Sequence, residues 1–231
     1  MTPDRSFPKP RDCILPRRAT RQNPTGGQCL FHYHALQRIS YVNHDEMLSL
    51  FRRSGALLEG HFRLTSGLHS PRYLQCALVL SDPATASALA EALAPRVASL
   101  GATVVLSPAL GGIVIGHEMG RALGLRAIFA ERQDGRLMLR RGFTLGPDDR
   151  VLVVEDVVTT GGSTRETMEV AREAGAAVVG AASIVDRSGG NTDLGVPYHA
   201  LLPMAVPTYE PAACPLCADG VPVTKPGSRN P

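Results

Sequence analysis

The run Val-Leu-Val-Val-Glu-Asp-Val-Val-Thr-Thr-Gly-Gly-Ser-Thr at positions 151–164 constrains this chain more than any other segment. Its first four residues are apolar and mostly β-branched, which is typical of a buried strand in a parallel sheet. Glu155 and Asp156 follow at the predicted carboxyl end of that strand, where open α/β sheets bind ligands. Residues 159–163 add hydroxyls, glycines and a predicted helix start, which together favour a phosphate. Carboxylates for sugar hydroxyls beside a phosphate loop predict a ribose 5-phosphate site.

Two other interpretations of this run are weaker. A turn in which an Asp only caps the next helix requires neither a second carboxylate nor the glycine pair Gly161 and Gly162. A Walker-type nucleotide loop requires Gly-Lys-Ser or Gly-Lys-Thr, and neither occurs in the sequence.

Length, composition and charge exclude several functional classes. The 231 residues, 44% of them hydrophobic, suit one α/β domain with appendages. No apolar run approaches the roughly 18 residues of a membrane span, so we expect no membrane partner. The first 43 residues hold seven Lys or Arg against two Asp, a net charge of +5, which leaves about −2 for the remainder. A remainder without excess positive charge gives no general reason to expect nucleic-acid binding.

Five cysteines without a hydrophobic signal segment favour a reducing, cytoplasmic compartment over a disulfide framework. Cys214 and Cys217 form a Cys-x-x-Cys pair, which fits half a zinc site, a redox pair or two inert thiols. The inert interpretation is favoured, because zinc needs four ligands and the sequence shows one pair. His199 or a second copy of the chain would have to supply the others. Three further histidines are expected to be structural or peripheral rather than catalytic: His61, His69 and His117.

The order of predicted elements indicates an α/β fold. From residue 82 onwards helices and strands alternate, which implies a parallel sheet with right-handed crossovers. The predicted helices cover 82–100, 112–123 and 163–174, and the strands cover 103–106, 126–130, 151–154 and 177–185. A helix over 43–54 and short strands over 62–67 and 72–75 precede this series, and a charged loop is predicted over 132–141. Residues 1–43 are rich in Pro and Arg and predict a disordered extension.

The run at 151–164 resembles the signature of the type I phosphoribosyltransferases, which bind phosphoribosyl pyrophosphate (PRPP). Four other segments resemble orotate phosphoribosyltransferases in particular. Residues 60–70 resemble their N-terminal hood, 107–112 their pyrophosphate loop, 129–141 their mobile catalytic loop, and 183–188 their orotate-binding segment. The resemblance implies a type I phosphoribosyltransferase fold, a central parallel sheet flanked by helices with a small N-terminal hood. It divides the domain at 44–231 into a hood at 44–80, a core at 81–190 and a C-terminal tail at 191–231.

The resemblance also implies the site residues. The acidic pair would bind the ribose hydroxyls and the loop the 5′-phosphate. The PRPP-binding residues would be Glu155, Asp156, Val157, Val158, Thr159, Thr160, Gly161, Gly162 and Ser163, together with Arg132. Thr159 and Arg187 would bind orotate, since a guanidinium forks onto a carboxylate through two parallel hydrogen bonds. Arg187 could instead be a surface arginine paired with Asp186 or Glu131, and Thr159 could instead serve the phosphate or cap the helix.

Arg132 and Arg136 are the catalytic candidates that the resemblance implies. Many relatives carry a catalytic lysine in the corresponding loop, where this chain has Gln133, and a lysine that touches PRPP, where it has Thr65. Arginine can neutralise pyrophosphate but does not readily donate a proton, because its pKa exceeds about 12. Catalysis would therefore be electrostatic, unless Arg140 or Arg141 reshapes the loop or a water molecule acts as the acid. The alternative is a solvated charged hairpin without a catalytic role.

The implied reaction transfers ribose 5-phosphate from PRPP to orotate in pyrimidine synthesis, giving orotidine 5′-monophosphate and pyrophosphate. Mg²⁺ is the implied cofactor, bridging substrate oxygens, and no protein metal ligand is assigned. The resemblance further implies a homodimer. Two alternatives are another purine or uracil phosphoribosyltransferase and a PRPP-sensing regulator with the same fold.

Overall fold

The structure is a computed structural model that describes residues 43–64 and 66–226. The predicted extension, except Asn43, lies outside these residues, as does Thr65. Helix α1 (His44–Arg53) begins where the sequence predicts. The Asn43 side chain accepts a hydrogen bond from the Glu46 backbone N–H at 2.9 Å, and the Glu46 carboxylate accepts one from the Asn43 N–H at 3.2 Å. This reciprocal capping box fixes the helix start.

The hood is an antiparallel hairpin of β1 (Leu57–Arg63) and β2 (His69–Leu74), followed by the short helix α2 (Cys76–Leu80). Both predicted strands exist, but each begins earlier along the chain than the sequence indicated. The two-stranded sheet is separate from the central sheet.

The remaining elements confirm the predicted alternation. They are α3 (Pro83–Val97), β3 (Val104–Pro108), α4 (Gly112–Leu123), β4 (Arg126–Gln133), β5 (Arg136–Leu139), β6 (Arg150–Val158), α5 (Gly162–Glu173), β7 (Ala177–Asp186), β8 (Tyr198–Pro203) and α6 (Pro215–Ala218). The central sheet has the order β5-β4-β3-β6-β7-β8. All neighbouring strands are parallel except β4 and β5. The sheet is therefore mixed, with a parallel centre and one antiparallel edge strand.

Helices cover both faces of this sheet, and side-chain alternation along the strands explains how. Val105 and Leu152 pack in the cluster that contains α3 and α4, whereas Val104 and Val151 pack in the cluster that contains α5. Successive residues of a strand point to opposite faces, so a strand buried on both faces needs an uninterrupted apolar run. That requirement explains why Val151–Val154 could be recognised as a central strand.

The charged loop predicted over 132–141 is wrong in its secondary structure. These residues form most of a hairpin in which Gln133 pairs with Arg136 across a two-residue turn. The turn residues Asp134 and Gly135 have φ values of 49° and 85°, which match the Asp-Gly turn favoured in tight hairpins. Leu137 is buried and packs in the same cluster as Met168 of α5. The apolar residues between the arginines therefore make this segment an edge strand.

The strand that carries the acidic pair is longer than predicted. β6 pairs with β7 as far as Val158, but its pairing with β3 ends at Val153. Glu155, Asp156 and Val157 therefore lie within a strand that has lost one of its two neighbours. Because β3 no longer pairs with β6 there, one edge of β6 is unpaired with β3 beside Glu155 and Asp156.

The chain after residue 190 belongs to both parts of the molecule. Strand β8 forms an edge of the central sheet, so the core extends beyond the predicted limit at 190. The following segment returns to the hood, where Tyr209 pairs with His69 and Thr224 pairs with Phe62. Within the described part of the chain, no helix is long and apolar enough to cross a membrane.

Candidate active site

Glu155 lies on β6, near its carboxyl end, and is buried. One carboxylate oxygen accepts a hydrogen bond from the Ser163 hydroxyl, and the other accepts one from the Thr164 hydroxyl. Burial raises the pKa of Glu155, and the two hydroxyl bonds act in the opposite direction. Glu155 thus ties the end of the strand to the first turn of the helix.

Asp156 is less enclosed than Glu155, and its Oδ1 accepts a hydrogen bond from the Val157 N–H at 2.9 Å. Burial raises the pKa of Asp156. The loop between β3 and α4 lies beside this carboxylate, and the space for a side chain at Gly111 is already filled by it. The Ala109–Leu110 peptide bond in this loop is cis. The segment predicted to receive pyrophosphate and the predicted ribose ligand are therefore neighbours.

The predicted phosphate loop turns sharply at Gly161, which has a φ of 77°. A Cβ atom there would lie 2.6 Å from Leu194 Cδ2, so conformation and packing both require glycine. Arg165, on α5, donates a hydrogen bond from Nη1 to the Thr160 carbonyl at 2.7 Å, and this bond holds the loop against the helix that follows it. No side chain within residues 43–64 and 66–226 caps α5, so the helix-capping alternative for Thr159 is wrong. The unsatisfied N–H groups at the start of α5 suit a phosphate.

A cavity of about 580 Å³ lies between the hood and this loop. It is lined by Leu64, Ser66, Leu68, Tyr73, Thr159, Thr160, Arg187, Val206 and Thr208. The structure thus brings together both residues predicted to bind orotate. Val206 and Thr208 were missed by sequence reasoning, because they lie in an irregular segment after β8 without a periodic or motif signal.

Arg187 follows β7 and is positioned by its backbone N–H, which donates to the Val158 carbonyl at 2.8 Å. Its guanidinium Nε is buried and has no hydrogen-bond partner among residues 43–64 and 66–226. Burial lowers the pKa of this guanidinium. The two alternative partners are engaged elsewhere: Asp186 accepts from the Ser188 and Gly190 N–H groups, and Glu131 pairs with Arg141 at 2.7 Å. Arg187 is thus a partly buried cation beside a cavity.

The two predicted catalytic arginines occupy different positions. Arg132 forms a two-pronged ion pair with Glu166 of α5, with N–O distances of 2.6 and 3.1 Å. Arg136 is largely exposed and contacts Glu173 at 3.5 Å. Glu173 is the last residue of α5, about 15 Å along the helix from its phosphate end, at 1.5 Å per residue. The structure therefore places Arg132 near the first turns of α5 and does not bring Arg136 to the site.

Comparisons with known proteins agree with this geometry. Residues 79–194 match the family described as "Phosphoribosyl transferase domain". The orotate phosphoribosyltransferase of Carboxydothermus hydrogenoformans is 56% identical over 186 residues, which cover 80% of this chain and 97% of that protein. The enzyme of the same name from Pelotomaculum thermopropionicum is 54% identical over 188 residues, covering 81% and 99%. The crystal structure of orotate phosphoribosyltransferase from Aeropyrum pernix superposes with a TM-score of 0.56 at 25% identity, covering 67% of this chain and 93% of that chain.

The sheet, the acidic strand end and the glycine-rich helix start define a phosphoribosyltransferase of type I fold. Within that class, the chain belongs to the orotate phosphoribosyltransferase family. The resemblance on which the sequence predictions rested is thereby confirmed.

Proposed function

We propose that this protein catalyses the transfer of ribose 5-phosphate from PRPP to orotate. The ring nitrogen of orotate forms a bond to C1 of the ribose while the bond from C1 to pyrophosphate breaks. The proton of that nitrogen is released to solvent, and orotidine 5′-monophosphate and pyrophosphate result. The observation that carries this proposal is the single cavity that Arg187, Thr159 and Thr160 line together with residues of the hood. The Arg187 guanidinium suits the carboxylate of orotate, and the phosphate loop in the same cavity suits the 5′-phosphate of PRPP.

Binding of PRPP rests on the end of β6 and the loop that follows. Asp156 supplies the main carboxylate for the ribose hydroxyls, because both oxygens of Glu155 are already engaged by Ser163 and Thr164. Glu155 contributes mainly by holding the loop in its conformation. It binds a ribose hydroxyl only when that hydroxyl replaces the Ser163 or Thr164 hydroxyl as its hydrogen-bond donor. The phosphate is bound by residues 159–163 at the start of α5.

Orotate is a planar anion, and its carboxylate is the group that Arg187 recognises. The reaction passes through a transition state in which positive charge develops on the ribose and negative charge on the leaving pyrophosphate. Catalysis is then largely positioning and charge neutralisation. Arg132 is the arginine placed for this second role, and it must exchange its ion pair with Glu166 to reach pyrophosphate. Arg136 has no role in this proposal.

Mg²⁺ is proposed as the cofactor, and it supplies neutralisation of the pyrophosphate charge when bound. The carboxylate of Asp156 offers the hard oxygen atoms that Mg²⁺ prefers, and few protein ligands are needed because phosphates hold this ion. A cytoplasmic location remains a prediction from the cysteine content.

A homodimer is also proposed. The side chains of Leu110 and Val114 are 84% and 44% exposed. Val114 lines a groove of about 290 Å³ together with Ile113 and Phe129. The Leu110 carbonyl accepts a hydrogen bond from the Ile113 N–H, which places Leu110 next to this groove. Exposed apolar patches of this kind mark interaction surfaces. Sedimentation of the full chain tests the dimer.

The proposed activity is tested by pyrophosphate release from PRPP with Mg²⁺ and one base at a time: orotate, uracil or adenine. The expected result is turnover with orotate and none with the other two. Turnover with uracil or adenine alone would identify a different phosphoribosyltransferase. No turnover with any base, together with nucleic-acid binding that weakens steeply with salt, would identify a regulator.

A further inference from the structure

Four side chains that favour metal ions converge between the hood and the C-terminal segment, outside the proposed active site. They are His61 on β1, His69 on β2, and Cys214 and Cys217, which stand at the N-cap and the third residue of α6. Their ligand atoms all lie within 4.8 Å of one another. His61 Nε2 lies 2.9 Å from His69 Nδ1 and 3.5 Å from Cys214 Sγ, and Cys217 Sγ lies 3.3 Å from His69 Nδ1 and 3.7 Å from His61 Nε2.

These separations are close to those of a tetrahedral zinc site. Bond lengths of about 2.0–2.1 Å to nitrogen and 2.3 Å to sulfur give ligand-to-ligand edges of roughly 3.3–3.8 Å. Three of the four nitrogen–sulfur distances fall in this range, and the nitrogen–nitrogen distance is shorter. The fourth nitrogen–sulfur distance and the sulfur–sulfur distance are no longer than 4.8 Å. A small outward movement of one imidazole would accommodate the ion.

The Nδ1 atom of His61, which faces away from the cluster, has the hydrogen bond that orients a zinc-binding histidine. His61 Nδ1 lies 2.7 Å from the Val221 carbonyl, which can only accept a hydrogen bond. The proton of a neutral imidazole is then on Nδ1, and the lone pair of Nε2 faces the cluster. Metal-bound histidines are commonly oriented by such a bond to a backbone carbonyl.

The backbone around the cluster fixes the ligands from both sides. The His69 N–H donates to Tyr209 and the Tyr209 N–H donates back to His69, while the Thr224 N–H donates to His61. Three of the four ligands are buried, with exposed fractions of 3% for His61, 7% for His69 and 3% for Cys214. Cys217 lies at the rim, where an ion can enter.

We propose that His61, His69, Cys214 and Cys217 form a structural zinc site that fastens the hood hairpin to the C-terminal segment. Two histidines with two cysteines, four protein ligands in all, are a set found in structural zinc sites. On binding, the two thiols release their protons to solvent, so that two thiolates balance the charge of Zn²⁺. Neither His199, which lies on β8, nor a second copy of the chain is needed to complete the site.

Metal content of the untagged full-length protein provides the first test. We expect about one zinc ion per chain by elemental analysis, as four protein ligands bind a single ion. Cys214→Ser and His69→Asn should each lose most of this zinc. Cys29→Ser and His199→Asn serve as matched controls and should retain it. A wild-type protein that carries no zinc, and takes up none when reduced and mixed with Zn²⁺, would overturn the proposal.

Cobalt provides a second test that does not depend on the variants folding. Protein produced in medium with Co²⁺ in place of zinc should show the intense visible bands of tetrahedral cobalt and thiolate-to-cobalt charge transfer in the near ultraviolet. Weak bands of six-coordinate cobalt, without charge transfer, would contradict the proposal. So would a Cys214–Cys217 disulfide in freshly purified, zinc-free protein, which would indicate a redox pair.

Discussion

The backbone of Gly111 lies directly against the carboxylate of Asp156. A Cβ atom at position 111 would stand 2.8 Å from Asp156 Oδ1 and 3.0 Å from Oδ2. This approach is possible because β3 stops pairing with β6 after Val153, so that the loop from β3 can cross beside the acidic pair. The proposed pyrophosphate loop and the proposed ribose ligand are therefore packed as one unit.

Gly111→Ala should lower kcat/KM for PRPP by at least tenfold, about 1.4 kcal/mol, because the added methyl group must displace Asp156 or the loop. Steady-state kinetics with varied PRPP measure this effect. Gly146→Ala is the matched control, since a Cβ atom at position 146 meets nothing within 4 Å. Equal kinetics for the two variants would show that this contact is not part of the substrate site.

Asp156→Asn should weaken PRPP binding or turnover by at least about tenfold, because a carboxylate accepts hydroxyl hydrogen bonds more strongly than an amide does. Glu155→Gln should have a smaller effect, since its oxygens are occupied by Ser163 and Thr164. Asp148→Asn, in the exposed turn before the amino end of β6, should change nothing. Unchanged kinetics in both single variants and in the double variant would remove the ribose assignment.

The same Asp156→Asn variant should be more stable than the wild type at pH 8, and this gain should shrink as the pH falls through the folded pKa of Asp156 towards its unfolded value of about 3.9. Burial raises the pKa of Asp156 in the folded protein above its unfolded value. The charged form is therefore disfavoured by folding, and the wild-type free energy of unfolding falls as pH rises through the folded pKa. Asparagine does not titrate. Melting temperatures across this pH range measure the difference, and a gain that grows on acidification would contradict the sign.

Arg132→Ala should reduce kcat at least about tenfold, whereas Arg136→Ala should leave it within about twofold, if charge neutralisation near α5 is catalytic. Both substitutions break an exposed ion pair, worth about 0–1 kcal/mol, so the melting temperatures should change little. Comparing kcat and melting temperature in these two variants separates an effect on catalysis from an effect on stability. Equal losses of kcat in the two variants would contradict the different placement of these arginines.

Sequence patterns predicted the elements whose signals are local. The start of α1 and the apolar run of β6 are both examples, because helix periodicity and burial on two faces leave direct marks on the sequence. The edge strand β5 was missed because its arginines masked its buried Leu137. The length of β6 was underestimated because pairing with β7 alone carries it to Val158.

Long-range relationships were out of reach of the sequence. His61 and Cys214 are separated by 153 positions, and only the return of the C-terminal segment to the hood brings them together. The cavity beside Arg187 likewise needs the hood, the phosphate loop and the segment after β8 in one place. The family resemblance could indicate Arg187 as a candidate, but only the folded protein shows that its Nε has no hydrogen-bond partner among the described residues.

The most direct test of the proposed function compares the Michaelis constants for orotate and PRPP in Arg187→Ala. Removing one partner of a partly buried carboxylate–guanidinium pair costs on the order of 2–4 kcal/mol, so the orotate constant should rise roughly 30- to 1000-fold. The PRPP constant should change by less than about threefold, since Asp156 and the phosphate loop remain, and Arg187→Lys should recover little because an ammonium lacks the fork. An orotate constant that stays at the wild-type value in Arg187→Ala would contradict the assignment of this cavity to orotate.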